Sequence, residues 1–426
     1  MLLQKTEDLE VIIKITERCN IDCTYCYMFN KGNDDFELNP PYIGDETISR
    51  TISFLEQGIT DMGVKRLAII LHGGEPLMLK KERFIELCDA LERRLKPLVK
   101  LTLGIQTNAI LIDEEWLEIF GRYDFHVGVS LDGPEEVNDR YRIDKKGGGT
   151  YKDTVAGLER LQSAYAEGRL NHPPGVVCVC SFDADATELY RFFTQTLKVK
   201  LVNFNLPMET HDDWSDAQAK KAKVFLADLF EAWISNNDPA VKIRMFDQML
   251  RYFSGDVSFR EHVSNIMRKH LMVVISSAGE LSDHDDYKII NFAQRGGTVF
   301  NTTLREFSNS QLRGYIDQLF SNLPDDCQEC SWKYYCRGGV SQGLGVTRYS
   351  RKDGFNNRST MCEGLGEVYA RGAGFLLRNG LATNTLTSSL AALDRDAELH
   401  DADLRLPPGD LLLDRKTFFL QVQKTA

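Results

Sequence analysis

Six apolar runs rich in β-branched residues recur through the first half of the chain: Val11–Thr16, Leu67–His72, Leu101–Gln106, Phe125–Leu131, Val176–Ser181 and Leu201–Leu206. All but the last are followed by a helix-like stretch before the next run. Ile48, Ile52, Leu55 and Ile59 repeat at helical spacing behind Asp45, an expected N-cap. Phe84, Leu87, Cys88, Leu91 and Leu95 form a second stripe, and Asp113, Thr150 and the Leu189–Phe193 segment open or carry three more. Strands alternating with helices in this way imply parallel βα units. Six units are too few to close an eight-stranded barrel. The expected fold is therefore α/β, a partial (β/α)6 TIM-like barrel over residues 1–210.

Beyond Pro207 the pattern changes. Lys220–Ser235 and Ile243–Phe253 read as helices, so 211–262 is expected to bridge the barrel to a second unit. Over 263–378 periodicity weakens while Cys, Gly and Asp become frequent. This suggests a small domain held by something other than a large core. The 379–426 tail is interrupted by Pro407-Pro408-Gly409, and Leu411–Leu413 and Phe418–Leu420 are expected to dock it back. No stretch of about 18 uncharged apolar residues occurs, which excludes a membrane-spanning helix. The opening MLLQKTEDLE lacks a charged-then-apolar leader, so a cytoplasmic location is expected. The net charge of −11 speaks against nonspecific nucleic-acid binding.

Ten cysteines in 426 residues are too few for a disulfide scaffold. Their spacing is more informative. Cys19, Cys23 and Cys26 follow the first expected strand, and on a parallel βα scaffold the strand C-termini are where sites are built. Three thiolates on one short loop can hold three irons of a cubane cluster, or three positions of a tetrahedral zinc. Either leaves one coordination position open, unless a fourth ligand elsewhere makes the zinc site structural. Cys88, Cys178 and Cys180 lie within periodic segments and read as small buried hydrophobes.

Cys19-x3-Cys23-x2-Cys26, with an aromatic before the last cysteine, resembles the radical S-adenosylmethionine (SAM) enzymes. His72-Gly-Gly-Glu-Pro76, Gln106-Thr-Asn108, Ser130-Leu-Asp-Gly-Pro134 and Tyr141-Arg142 follow in the family's order over roughly residues 10–207. The resemblance implies a [4Fe-4S] cluster on the three cysteines, with one iron left for SAM. It places Gly73, Gly74 and Glu75 at the SAM amino group, Ser130 and Arg142 at its carboxylate, Gln106 and Asn108 facing the cavity, and the Tyr25 backbone at the adenine. Simple strand-end capping is the alternative for Gln106 and Asn108. For Arg142 it is a surface ion pair with Asp139 or Asp144.

Cys327-x2-Cys330-x5-Cys336 and Cys362 resemble the SPASM extension, which carries auxiliary iron–sulfur clusters. Four cysteines suffice for one complete [4Fe-4S] cluster. The pattern is otherwise incomplete. Val340 stands where the family has a further cysteine, and Ile275-Ser-Ser-Ala-Gly-Glu-Leu-Ser-Asp-His284 stands where cysteines flank a glycine turn. One auxiliary cluster is therefore expected, with His284 as a candidate remnant ligand.

By the same resemblance Asp285, beside His284, occupies the position of a catalytic base. The alternative is that Asp283–Asp286 is a solvated acidic turn. The N-terminal half looks most like maturases of ribosomally made peptides, which implies abstraction of a β-hydrogen and a carbon–carbon (cyclophane) crosslink to an aromatic side chain. The second reading is formylglycine formation in a sulfatase, and the third a non-catalytic zinc-binding scaffold. The implied partners are a precursor peptide with a leader and a reductant such as flavodoxin or ferredoxin. No dedicated domain to catch the leader is expected before Val11.

Overall fold

The structure is a computed structural model and describes residues 7–256, 270–290 and 296–391. The tail segments expected to dock, Leu411–Leu413 and Phe418–Leu420, lie outside the described residues. So does the expected boundary between the second and third segments at residue 262.

Six strands form close to where the apolar runs fall: β1 (Asp8–Thr16), β2 (Arg66–Gly73), β3 (Lys100–Thr107), β4 (His126–Ser130), β5 (Gly175–Val179) and β6 (Leu201–Asn205). They pair in sequence order, all parallel. Each is covered by helices such as Asp45–Met62, Lys81–Leu95 and Tyr151–Ala166. The first helix is capped at Gly44 rather than Asp45, which is its first helical residue. On β1, Leu9, Val11, Ile13 and Ile15 are buried, and the alternate Glu10 and Lys14 share the other face.

The sheet does not stop at six strands. β7 (Lys242–Ile243) extends it beyond β6, and β8 (His270–Ile275) pairs parallel to β1 on the side away from β2. β9 (Leu281–Ser282) turns back antiparallel on β8, giving a nine-stranded order β7-β6-β5-β4-β3-β2-β1-β8-β9. The run HLMVVI at 270–275 thus belongs to the barrel sheet rather than to a separate small unit. It covers the backbone edge that β1 would otherwise expose. The remainder packs back through helices. Cys362–Arg378 lies on Asp216–Asn236 and on Arg244–Phe253. Among the described residues no helix is long and apolar enough to cross a membrane.

Candidate active site and cluster-binding loops

The three N-terminal cysteines sit where β1 ends. Cys26 N bonds the Cys23 carbonyl at 3.0 Å, a turn that brings the two together, and all three thiols are free and half-buried. Burial pushes the Cys19 thiol up to about 12 and that of Cys23 up to about 11, and it raises Cys26 as well. Such thiols stay protonated by themselves; an iron centre supplies the positive charge that makes them thiolates. The donor set therefore suits an iron–sulfur cluster. Among the described residues no group of three His, Cys, Asp or Glu side chains is placed to hold a single metal ion.

Backbone ladders strap this loop down. Asp22 N bonds Ile143 O at 2.7 Å and Thr24 N bonds Tyr141 O at 2.9 Å, which fixes the loop to the segment bearing Arg142. On the other side Gly74 N bonds Thr16 O and Glu75 N bonds Arg18 O, at 3.0 and 2.8 Å. A Cβ on Gly73 would overlap the Thr16 carbonyl and one on Gly74 the Arg18 carbonyl; Gly73 also sits at φ 146°. The two glycines thus permit the strap to touch the cluster loop. Glu75 is buried and commits its carboxylate to Leu77 N, Thr107 Oγ1 and Asn108 N, at 3.0, 2.7 and 2.7 Å.

Gln106 Nε2 donates to Ser130 Oγ at 2.8 Å across neighbouring strands. Asn108 Oδ1 caps Ile110 N while its Nδ2 reaches Asn20 Oδ1 at 2.7 Å, so it serves both the strand end and the cluster loop. Arg142 is not at the surface. It is 6% exposed and donates to the Tyr25 hydroxyl, while Asp139 and Asp144 are taken up by backbone amides. The surface ion-pair alternative is therefore overturned.

Asp285 stands beside the same loop. Tyr27, next to Cys26, donates to its Oδ2 at 3.3 Å; Lys14 Nζ lies 2.9 Å and Lys288 Nζ 3.7 Å from Oδ1. Burial alone would raise this carboxyl, but the two ammonium groups outweigh it and hold it at about 2. The solvated-turn alternative fails, because Asp283 is fully buried and Asp285 nearly so. His284 Nδ1 pairs with Asp283, whose Oδ2 accepts from Arg313 Nη1 at 2.6 Å. That ring nitrogen is spent on an ion pair, not left for a metal. Sequence reasoning assigned no role to Lys14, Tyr27, Lys288 or Asp132. The available signal was a lysine inside an apolar strand.

A cavity of about 420 Å³ opens next to this turn, between the barrel interior and the C-terminal cysteine unit. Asn203, Asn205, Gln248 and Asp286 supply polar groups, and Met245, Met272 and Leu344 apolar ones.

The second cysteine group also converges. Cys327 is buried and Cys330, Cys336 and Cys362 half-buried; burial, reinforced by the other thiols of the group, raises Cys327, Cys336 and Cys362. Trp332 N donates to Cys330 Sγ at 3.4 Å and Gly339 N to Cys336 Sγ at 3.3 Å, contacts that favour thiolates. Phe253, Trp332, Tyr335 and Tyr369 pack around them. Where further cysteines are lacking, the chain makes an ordinary turn: Ser276 Oγ accepts from Ala278 N and Glu280 N, and Ser277 Oγ donates to Pro40 O.

Residues 13–174 match the radical SAM superfamily. The chain is 25% identical over 383 residues to the serine-type anaerobic sulfatase-maturating enzyme of Bacteroides thetaiotaomicron, which spans 84% of this chain and 87% of the relative. It is 23% identical over 371 residues to a cysteine-type enzyme of Clostridium perfringens, spanning 85% and 95%. Its fold is similar to that of native anSMEcpe with bound AdoMet and Cp18Cys peptide, with a TM-score of 0.70, 21% identity and 87% and 98% of the two chains covered. The radical SAM resemblance stands, and with it the partial barrel, the SPASM-type extension, and the iron–sulfur and SAM cofactors. The cyclophane reading does not stand. Similarity to sulfatase-maturating enzymes runs through both halves of the chain and favours formylglycine formation, the second reading.

Proposed function

We propose that this chain oxidises a serine or cysteine side chain of a peptide or protein substrate to formylglycine, as an anaerobic sulfatase-maturating enzyme. The observation that carries this reading is the extent of the similarity: relatives of that activity align along more than four-fifths of the chain.

Cys19, Cys23 and Cys26 would hold the SAM-binding cluster, and Cys327, Cys330, Cys336 and Cys362 one auxiliary cluster. When bound, the first supplies with SAM a hydrogen-abstracting radical and the second an electron acceptor. The protein's own residues do the rest. Gly73 and Gly74 keep the strap against the cluster loop, and Ser130 and Arg142 receive the SAM carboxylate. Gln106 fixes the Ser130 hydroxyl; Asn108 and Tyr25 tie the loop to the barrel wall. The cavity beside Asp286 admits the substrate side chain. Loss of a β-hydrogen, one further electron and the hydroxyl or thiol proton gives the aldehyde from serine, and from cysteine a thioaldehyde that water hydrolyses to the aldehyde and hydrogen sulfide. Asp285, between the cavity-lining His284 and Asp286 and beside the cluster loop, accepts the proton. His284 stays in its pair with Asp283 and orients the turn that presents Asp285.

The test is anaerobic incubation with SAM, a reductant such as flavodoxin or dithionite, and sulfatase-derived peptides carrying serine or cysteine at the modified position. Mass spectrometry should find an aldehyde that reacts with hydrazine reagents. An unmodified peptide, alongside 5′-deoxyadenosine formation, would overturn the reading.

A further inference from the structure

Arg142 Nη1 donates to the Tyr25 hydroxyl at 2.8 Å, and that hydroxyl donates to Asp132 Oδ2 at 2.6 Å. Asp132 is itself immobilised. Its Oδ1 accepts from Val179 N at 3.0 Å, its backbone amide donates to Asn138 Oδ1, and it is 1% exposed. The three groups form one chain from the β5 wall, through the residue between Cys23 and Cys26, to a buried guanidinium.

The phenol between the two charges matters. Had Asp132 met Arg142 directly, the carboxylate would have taken up the guanidinium's donors. With Tyr25 interposed, Asp132 offsets the cation at one remove and only Nη1 is spent. Nη1 is the terminal nitrogen cis to Cδ, so the edge left over is Nε with Nη2. That edge is the one that grips a carboxylate side-on with two parallel bonds. Arg142 Nε is buried with no hydrogen-bond partner among the described residues. A buried guanidinium with an unspent donor is costly unless a ligand satisfies it.

We propose that Asp132 and Tyr25 are positioning residues that hold Arg142 with its Nε–Nη2 edge turned to the carboxylate of SAM, coupling the cluster loop to the recognition of that carboxylate. The proposal rests on the reading that SAM binds at this loop.

Its test uses the anaerobically reconstituted holoenzyme and two probes. SAM carries the carboxylate; 5′-methylthioadenosine keeps the adenosine and the sulfur but lacks the amino-acid part. Dissociation constants come from equilibrium dialysis, with the cluster's electron paramagnetic resonance spectrum as a second readout for SAM. Tyr25→Phe is expected to weaken SAM by about tenfold, the loss of one hydrogen bond to a charged group, and to leave methylthioadenosine unchanged. Asp132→Asn, which keeps the shape but loosens the anchor, is expected to weaken SAM alone by a smaller factor. If Tyr25→Phe loses iron, Asp132→Asn, which does not alter the cluster loop, carries the same test. Unchanged SAM binding in the iron-replete variants overturns the proposal, and so does equal weakening of both probes. Wild-type protein that binds SAM no better than methylthioadenosine would instead overturn the reading of the site itself.

Discussion

Lys14 Nζ lies 2.9 Å from the Asp285 carboxylate, joining the first barrel strand to the turn after β9. Both side chains are nearly or fully buried, and burial pulls the lysine ammonium below its usual range while the pair keeps Asp285 ionised. A carboxylate held at about 2 is a weak base, so Lys14 sets how readily Asp285 can take a proton.

Removing the carboxylate should separate the two halves of the reaction. Asp285→Asn is expected to lower aldehyde formation by about 10²-fold or more, the usual worth of a general base, while 5′-deoxyadenosine still accumulates. Chromatography of the nucleoside and mass spectrometry of the peptide read the two separately. Full aldehyde yield in the variant would remove Asp285 from the mechanism.

Replacing its partner should change the pH response. In wild-type protein Asp285 is depressed, so its charge persists through the neutral range and is lost only as pH falls toward about 2. Lys14→Met removes one of two ammonium groups, and its acidic rate limb should move to higher pH than that of wild type. Coincident profiles would show that the pair does not govern basicity.

Iron content tests the cofactor assignment. Reconstituted protein should carry about eight irons per chain, falling to about four when Cys19, Cys23 and Cys26 become alanine or when Cys327 and Cys330 do. About twelve irons in the wild type would mean that a third cluster finds ligands outside the two groups.

Gly74→Ala forces a methyl group against the Arg18 carbonyl and within 2.9 Å of Cys19 N. The strap or the cluster loop must shift, with a cost of about 1–3 kcal/mol. Lower iron occupancy of the N-terminal site, with the auxiliary site full, is the expected result by Mössbauer counting. Normal occupancy of both would argue that the strap is free to move.

The His284–Asp283 pair predicts a stability term of defined sign. Burial disfavours the imidazolium, but Asp283 more than compensates and raises its pKa. Its contribution is therefore complete below the unfolded value of about 6.5 and lost as pH rises through the folded one. The melting-temperature gap between wild type and His284→Gln should be widest near pH 6 and narrow in alkali. A constant gap across that range would exclude the pair as its source.

The sequence by itself determined what is local. Strand positions follow from runs such as Leu67–His72, which falls inside Arg66–Gly73, because alternation and β-branching act within a few residues. The three cysteines of Cys19–Cys26 likewise fall in one loop just past β1, where the sequence spacing puts them. Tertiary structure decided everything that depends on distant segments meeting. The pairing of β8 with β1, the burial of Lys14 against Asp285, and the chain from Asp132 through Tyr25 to Arg142 each join residues far apart in the sequence. Asp283–Asp286 looks like any acidic turn until Lys14, Lys288 and Arg313 are found around it. The charge on a buried group is set by what it is packed against, and only the folded chain brings those partners together.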